Sequence, residues 1–496
     1  VVPRSRLPEV LGAAYEIAAR YQLRIANVFH AGDGNLHPLI CFDSRFADQV
    51  MRVREAGREL MEVCVAAGGT ITGEHGVGLD KRDLLPLVFS DADMNAMLRV
   101  RAAFDPLGLC NPGKVIPMLR GCGEAKAIAQ PFNEPITTTA QHVTDKPPRS
   151  SLAEIVGEEY VAGNTVSPGS IDEVSEVIKL AALQGWSVMP TGGSEGDADL
   201  VVSTARLNQI IEHEPADLIA VAQAGVKLTD FNSKLSENGQ WLPLDPPDDG
   251  RATLGGVVAN GLGGAQQFGY GRPRGMVIGM KVVLADGSVI RTGGRVVKNV
   301  AGYDLSKLFT GSRGSLGIIT ELNFKLRPRP EREATVVIPG VALDLLKRAR
   351  DIVAARLFPV AVEILSPAFA KLIGLSANEP VLLVRFAGNE AGVKYQIEQV
   401  RGEVIADDEW IWRSIAAASL GHTASVLPTS LPALIPALIK DIDVAGALWQ
   451  IGAADGRIRM LDNKLPTARD DSADFLATRV KQQLDPMNLF TTRTTS

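Results

Sequence analysis

The sequence is poor in cysteine and histidine and has no excess of positive charge, and each shortage closes off a class of protein. Its four cysteines, Cys41, Cys64, Cys110 and Cys122, lie in the first quarter of the 496 residues without a C-x-x-C pair. They read as buried free thiols of a reducing compartment, and neither a disulfide framework nor a ferredoxin-like iron-sulfur motif is expected. Fifty-one Lys and Arg against 57 Asp and Glu leave a formal net charge of -6, the wrong sign for a nucleic-acid surface. No apolar run is long enough for a bilayer helix; the best, Leu431 to Ile439, is short and holds two prolines. A cytoplasmic protein is expected, with at most a peripheral place on the inner membrane. There is no Walker lysine, and no strand leads into G-x-G-x-x-G, which disfavours P-loop and Rossmann nucleotide sites. Val1 stands where Met would begin a complete chain, which reads as a fragment or processed product.

What the chain has in abundance is locally concentrated glycine. Sixteen of 48 glycines fall between Ala252 and Thr320, where backbone can approach a ligand closely. The run Thr253-Leu254-Gly255-Gly256-Val257-Val258-Ala259-Asn260-Gly261 offers small residues and free amides, which suit a pyrophosphate. A second run, Gly311 to Thr320, passes from a glycine-rich turn into an apolar strand through Gly317, Ile318 and Ile319. Asp286-Gly287 between two apolar runs predicts a hairpin.

This stretch, with Lys298-Asn299-Val300-Ala301-Gly302-Tyr303-Asp304-Leu305 inside it, resembles the FAD domain of the vanillyl-alcohol oxidase and p-cresol methylhydroxylase type. Within that superfamily it is most similar to the E subunit of bacterial glycolate oxidases. The resemblance implies that Thr191, Gly192, Gly193 and Ser194 form the loop cradling the pyrophosphate. Thr191 stands where relatives usually have a first glycine. It further implies FAD contacts at Thr253, Gly255, Gly256, Asn260 and Gly261, and isoalloxazine contacts from the backbone of Gly317, Ile318 and Ile319. Relatives with covalent flavin often carry His after the glycine pair, and Ser194 here predicts non-covalent FAD.

Half of the six histidines sit in two short loops near the start, His30-Ala31-Gly32-Asp33-Gly34-Asn35-Leu36-His37 and Thr72-Gly73-Glu74-His75-Gly76. Two imidazoles and a carboxylate would leave open positions on a divalent ion, the arrangement of a catalytic centre. These motifs, with Asp105-Pro106 and Asn111-Pro112-Gly113-Lys114, look like the end of the FAD-linked D subunit of glycolate oxidase, itself similar to D-lactate and D-2-hydroxyglutarate dehydrogenases. The resemblance implies His30, His37 and Glu74 as ligands of a divalent metal, zinc or manganese, and His75 as the base that takes a hydroxyl proton.

The expected fold is therefore α+β: a D-type C-terminal fragment over residues 1–118, a linker over 119–150, a p-cresol methylhydroxylase-type FAD-binding domain over 151–329 and an α+β cap over 330–496. The cap holds one histidine, His422. Leu484 to Phe490 echoes Phe104 to Cys110, as two related subunits joined in one chain would. The implied activity is FAD-dependent oxidation of a small 2-hydroxy acid, glycolate or D-lactate, with electrons passing to an iron-sulfur subunit and a D-type FAD subunit as a further partner. Two other readings remain: a non-catalytic FAD-binding subunit with a stranded metal motif, and a metal-independent sugar-lactone or aldonate oxidase.

Overall fold

The structure, a computed structural model, describes residues 1–117, 149–193, 197–418, 422–440, 447–460 and 471–491. Most of the expected linker, with Cys122 and His142, and Ser194 of the glycine loop lie outside these residues. Among the described residues no helix is long and apolar enough to cross a membrane.

The N-terminal piece begins with the helix Leu7–Arg20, whose Val10, Ala14 and Ile17 recur at helical spacing and are buried. They meet Ala56, Leu60 and Cys64 from the helix Ala47–Ala66 in a small core. Between these helices, strands Arg24–His30 and Asn35–Cys41 pair antiparallel. Cys64 is a buried thiol as expected, but Cys41 and Cys110 are exposed free thiols. Cys41 ends a two-stranded ribbon that packs on the small core through Ile25 and Leu36, and Cys110 sits in a surface turn, so both thiols face outward among the described residues. The helix Asp91–Phe104 starts with a full capping box, Ser90 and Asp93 each bonding the other's backbone amide.

The FAD-like domain has two sheets. In the smaller, Val188–Thr191 and Leu200–Ser203 run parallel, with the helix Ile171–Gln184 packed alongside. Ser170 caps that helix by accepting from the Glu173 amide, and the Glu173 carboxylate accepts from the amide of Gly169. The larger sheet is antiparallel and holds the predicted hairpin, Val277–Val283 paired with Val289–Gly293.

A seven-stranded sheet forms the cap, in the order Glu403–Ile405, Arg332–Pro339, Val381–Gly388, Ala361–Leu365, Trp449–Gly452, Arg457–Met460, His422–Ser425. One face, carrying Val336, Val362, Ile364, Val384, Ile451 and Ile458, packs under the helices Ala342–Ala354 and Leu431–Lys440. The chain then returns to the FAD-like domain, where Phe490 bridges to Val188. The echo of the two tails is structural. Asp105 accepts from the amides of Leu109 and Cys110 at 2.9 and 2.8 Å, and Asp485 from Leu489 and Phe490 at 2.8 and 2.9 Å.

One apolar core joins the N-terminal piece to the FAD-like domain: Leu85, Phe89, Met94 and Met97 pack with Met280, Val282, Ile290 and Ala301. At its edge the buried Asp93 carboxylate takes the Ser90 amide on one oxygen and the Arg291 amide on the other, at 2.8 and 2.6 Å. Asp93→Ala removes the helix cap and strands the Arg291 amide, so it should cost about 2 to 4 kcal/mol. The measurement is a urea midpoint, together with protease cleavage that releases the N-terminal piece; an unchanged midpoint would show the seam to be inessential.

Candidate functional site

The first candidate cluster sits at the tip of the Arg24–His30 and Asn35–Cys41 ribbon. Gly34, at φ 66°, allows the tight reversal. The two histidines do not pair directly: His30 lies opposite Asn35 and His37 opposite Val28. They are diagonal neighbours on one face, their rings edge-on with centroids 5.5 Å apart. The Gly73-Glu74-His75 loop comes up beside them because its flank is pinned, Thr70 exchanging backbone bonds with Val1 and the Thr72 carbonyl accepting from the Val300 amide. His37 Nε2 is then 3.6 Å from Glu74 Oε2, and the His75 ring is 5.6 Å from the His37 ring.

One ligand atom from each of His30, His37 and Glu74 lies within 4.8 Å of the others. Bonds of about 2.1 Å to a shared ion would need about 3.4 Å between ligand atoms, so a modest closure would complete the set. Two nitrogens and a carboxylate oxygen, with the cluster open to solvent on one side, fit a divalent cation that keeps free positions. Lys298 of the FAD-like domain already touches this cluster, its Nζ 2.5 Å from Glu74 Oε1 and 3.1 Å from Asp33 Oδ2. The ammonium holds the Glu74 carboxyl below its usual range, and the carboxylates in turn raise the Lys298 pKa.

The three segments expected to hold FAD converge. Gly192 ends the Val188–Thr191 strand so close to Thr253 that a β-carbon there would lie 2.5 Å from Thr253 Oγ1. Thr253 caps the short helix Leu254–Asn260 by accepting from the Gly256 amide. That helix is tied in turn to the second glycine turn, the amides of Gly311 and Arg313 donating to Val258 and Ala259. Gly255 is buried against Ala224, and Asn260 Nδ2 bonds back to Gly256 within its own helix. Ile318 and Ile319 turn their side chains into apolar cores. Strand pairing with Ile219–Gln223 begins only at Glu321, so on that side the backbone of Gly317 to Ile319 has no strand partner. Small residues and close backbone suit an extended dinucleotide. The amides that open the Thr253 helix, however, are not free as expected: Leu254 donates to Val226, Gly255 to Ala224 and Gly256 to Thr253 Oγ1, because the helix start is folded against neighbouring strands and capped by Thr253. Tyr303 is a packing residue, its hydroxyl accepting from Arg101 and its amide facing the Met97 sulfur.

Comparison with known proteins agrees with this division. Residues 1–115 match the family described as FAD linked oxidases, C-terminal domain, and residues 163–293 match the FAD binding domain family. The chain is 33% identical over 251 residues to glycolate oxidase subunit GlcD of Bacillus subtilis (strain 168), covering 47% of this chain and 53% of that one. It is 35% identical over 202 residues to subunit GlcE of Escherichia coli (strain K12), covering 40% of this chain and 54% of that one. Over 127 residues it is 46% identical to GlcD of the same strain, covering 26% of each. The chain thus spans little more than half the length of these relatives at most. Among solved structures, p-cresol methylhydroxylase with substrate bound superposes with a TM-score of 0.52 at 15% identity, covering 68% of this chain and 85% of that one. The fold is α+β and like that of p-cresol methylhydroxylase, and residues 163–293 carry the match to an FAD binding domain. More narrowly, the chain is similar to both GlcD and GlcE, two resemblances carried in one chain.

Two groups of residues went unmarked in the sequence. Lys298 stood inside the quoted FAD-domain motif without a role, because nothing local ties it to residues more than two hundred positions earlier. On the cap sheet, Glu363, Gln450, Arg457 and Arg459 form a buried polar cluster, Glu363 accepting from Gln450 Nε2 at 3.0 Å and Arg457 Nη2 at 2.8 Å. The available signal was alternation along Arg457-Ile458-Arg459, which puts two arginines on one sheet face.

Gly255→Ala tests the cradle. Its β-carbon would lie 2.7 Å from that of Ala224, an overpacking of about 1 to 3 kcal/mol that must displace the capped helix. Flavin content, read as the ratio of visible to ultraviolet absorbance, should fall severalfold while the cap remains folded.

Proposed function

We propose that this chain oxidises a small 2-hydroxy acid, with glycolate and D-lactate as the candidate substrates, using FAD bound non-covalently in the glycine cradle and a divalent ion, zinc or manganese, at His30, His37 and Glu74. The observation that carries the reading is that the three ligand atoms lie together and are held against the FAD-like domain through Lys298. The shared apolar core and Asp93 keep the N-terminal piece seated there. Similarity to glycolate oxidase subunits supports the substrate class, as does that to rat mitochondrial D-2-hydroxyglutarate dehydrogenase, 35% identical over 172 residues and covering 33% of this chain and 32% of that one.

Bound FAD supplies a two-electron acceptor and the bound ion a Lewis acid for hydroxyl and carboxylate. The rest falls to the chain's own groups. His30 and His37 present ring nitrogens and Glu74 a carboxylate oxygen from two separately pinned loops. His75, next along the chain from Glu74, takes the substrate's hydroxyl proton on a ring nitrogen. Lys298 balances the carboxylates of Asp33 and Glu74. The glycine loop at Gly192 and Gly193 and the Thr253 helix let the cofactor's phosphates approach closely through small residues. Electrons then leave to an iron-sulfur subunit, with a D-type FAD subunit as a further partner, and the complex sits in the cytoplasm or peripherally on the inner membrane. A D-type tail joined to an E-type body is what a gene fusion would produce.

The experiment is an anaerobic visible spectrum of the purified chain with manganese before and after glycolate or D-lactate. The flavin band should bleach. His30→Ala should slow bleaching at least about a hundredfold, and His75→Ala should do so with metal content unchanged. A yellow protein that never bleaches would instead favour a non-catalytic flavin-binding subunit; bleaching that is unaffected by His30→Ala would remove the metal from the reaction.

A further inference from the structure

The polar cluster on the cap is built on a second copy of the metal ribbon. Gly452-Ala453-Ala454-Asp455-Gly456-Arg457-Ile458-Arg459 aligns without gaps on His30-Ala31-Gly32-Asp33-Gly34-Asn35-Leu36-His37. The strands match in register as well. Phe29 pairs with Leu36 and Val28 with His37; Ile451 pairs with Ile458 and Gln450 with Arg459. The reversals coincide, Gly34 at φ 66° and Gly456 at φ 76°. What differs is chemistry. Where the first ribbon has His30, Asn35 and His37, the second has Gly452, Arg457 and Arg459. A side chain at 452 would meet the Asp455 carboxylate at 2.1 Å, so the second ribbon has no room for a counterpart of His30 unless Asp455 moves.

Arg457 and Arg459 are 6% and 5% exposed and Gln450 is 2% exposed, yet Arg457 Nη1, Arg459 Nε and Gln450 Oε1 have no hydrogen-bond partner among the described residues. Across from them lies the segment following the flavin-cradle helix: the Gly263 carbonyl accepts from Arg459, Gln267 bonds Asp455, and Gln266 Oε1 is likewise buried without a partner. Leaving so many buried polar atoms unmade is costly, about 1 to 3 kcal/mol each, unless something else bonds them. The charges facing one another are Arg457, Arg459, Asp455, Glu363 and, from the FAD-like domain, Asp245. Burial pushes Glu363 up to about 7 and raises Asp245 too, which weakens the negative side of this balance near neutral pH.

We propose that Arg457, Arg459 and Gln450 form a second, metal-free site for a small carboxylate anion on the face of the cap turned to the FAD-like domain. The fixed guanidinium charges take the place that a cation would have in the first ribbon. A carboxylate accepts from the unused Nη1 and Nε donors, and a hydroxyl on the neighbouring carbon donates to Gln450 Oε1, which selects 2-hydroxy acids over simple carboxylates. The site goes beyond the reading above and does not need the metal cluster.

The test is calorimetric titration of sodium glycolate into the flavin-loaded full chain carrying His30→Ala and Glu74→Gln, with 1,10-phenanthroline to remove metal. One saturable site is expected. Arg459→Met in that background should weaken it at least about tenfold. Glu363→Gln should tighten it severalfold, by releasing Arg457 from its anionic partner, and this variant decides the matter if Arg459→Met does not fold. No saturable binding in the metal-site variant, or an affinity unmoved by either substitution, would overturn the proposal and leave the first cluster untouched.

Discussion

The first cluster depends on one seam, the packing of the N-terminal piece onto the FAD-like domain. A helix, a two-stranded ribbon and two loops bury too little on their own to persist; a ribbon of two strands is marginal in water. Met94 and Met97 with Phe89 enter the core of the neighbouring domain, and Asp93 serves both its own helix cap and a backbone amide across the boundary. Only with that seam closed does Glu74 stand between His37 and Lys298.

The seam also sets the electrostatics of the first cluster. Lys298 answers two carboxylates at partly exposed positions, a contact of modest strength that a divalent ion with nitrogen ligands could outcompete. The second cluster is different in kind. Its arginines and Glu363 lie deep under the cap, where a missing partner costs more than at the surface and where charge is kept only because opposite charge is in contact. One hairpin frame thus carries two different sets of side chains, His30, Asn35 and His37 in one copy and Gly452, Arg457 and Arg459 in the other. The matched aspartates of the two tails, Asp105 and Asp485, are the same duplication seen again at the end of each segment.

Much of this was legible in the residues. Glycine density and the small residues from Thr253 to Gly261 announced a backbone-lined cradle, and the helices, the Asp286-Gly287 hairpin and the cap strands follow periodicities that local chemistry dictates. Histidines flanked by glycine marked the metal loops, since such positions serve turns and ligands rather than a core. That the two rings meet diagonally rather than as a direct pair was set by register, which depends on where the four-residue reversal places its first bonded pair. The burial of Cys41 and Cys110 was misjudged because burial depends on what covers a segment.

By itself, then, the sequence determined the α+β class and nominated the candidate cradle residues and ligand set, because each rests on short-range spacing and residue chemistry. Only the tertiary structure decided that the three cradle segments meet, that Lys298 reaches across to Glu74 and Asp33, and that Arg457 and Arg459 are enclosed with unused donors. Those facts turn on which apolar faces pack together over hundreds of residues, and no local pattern encodes the distance between two surfaces brought into contact by a shared core.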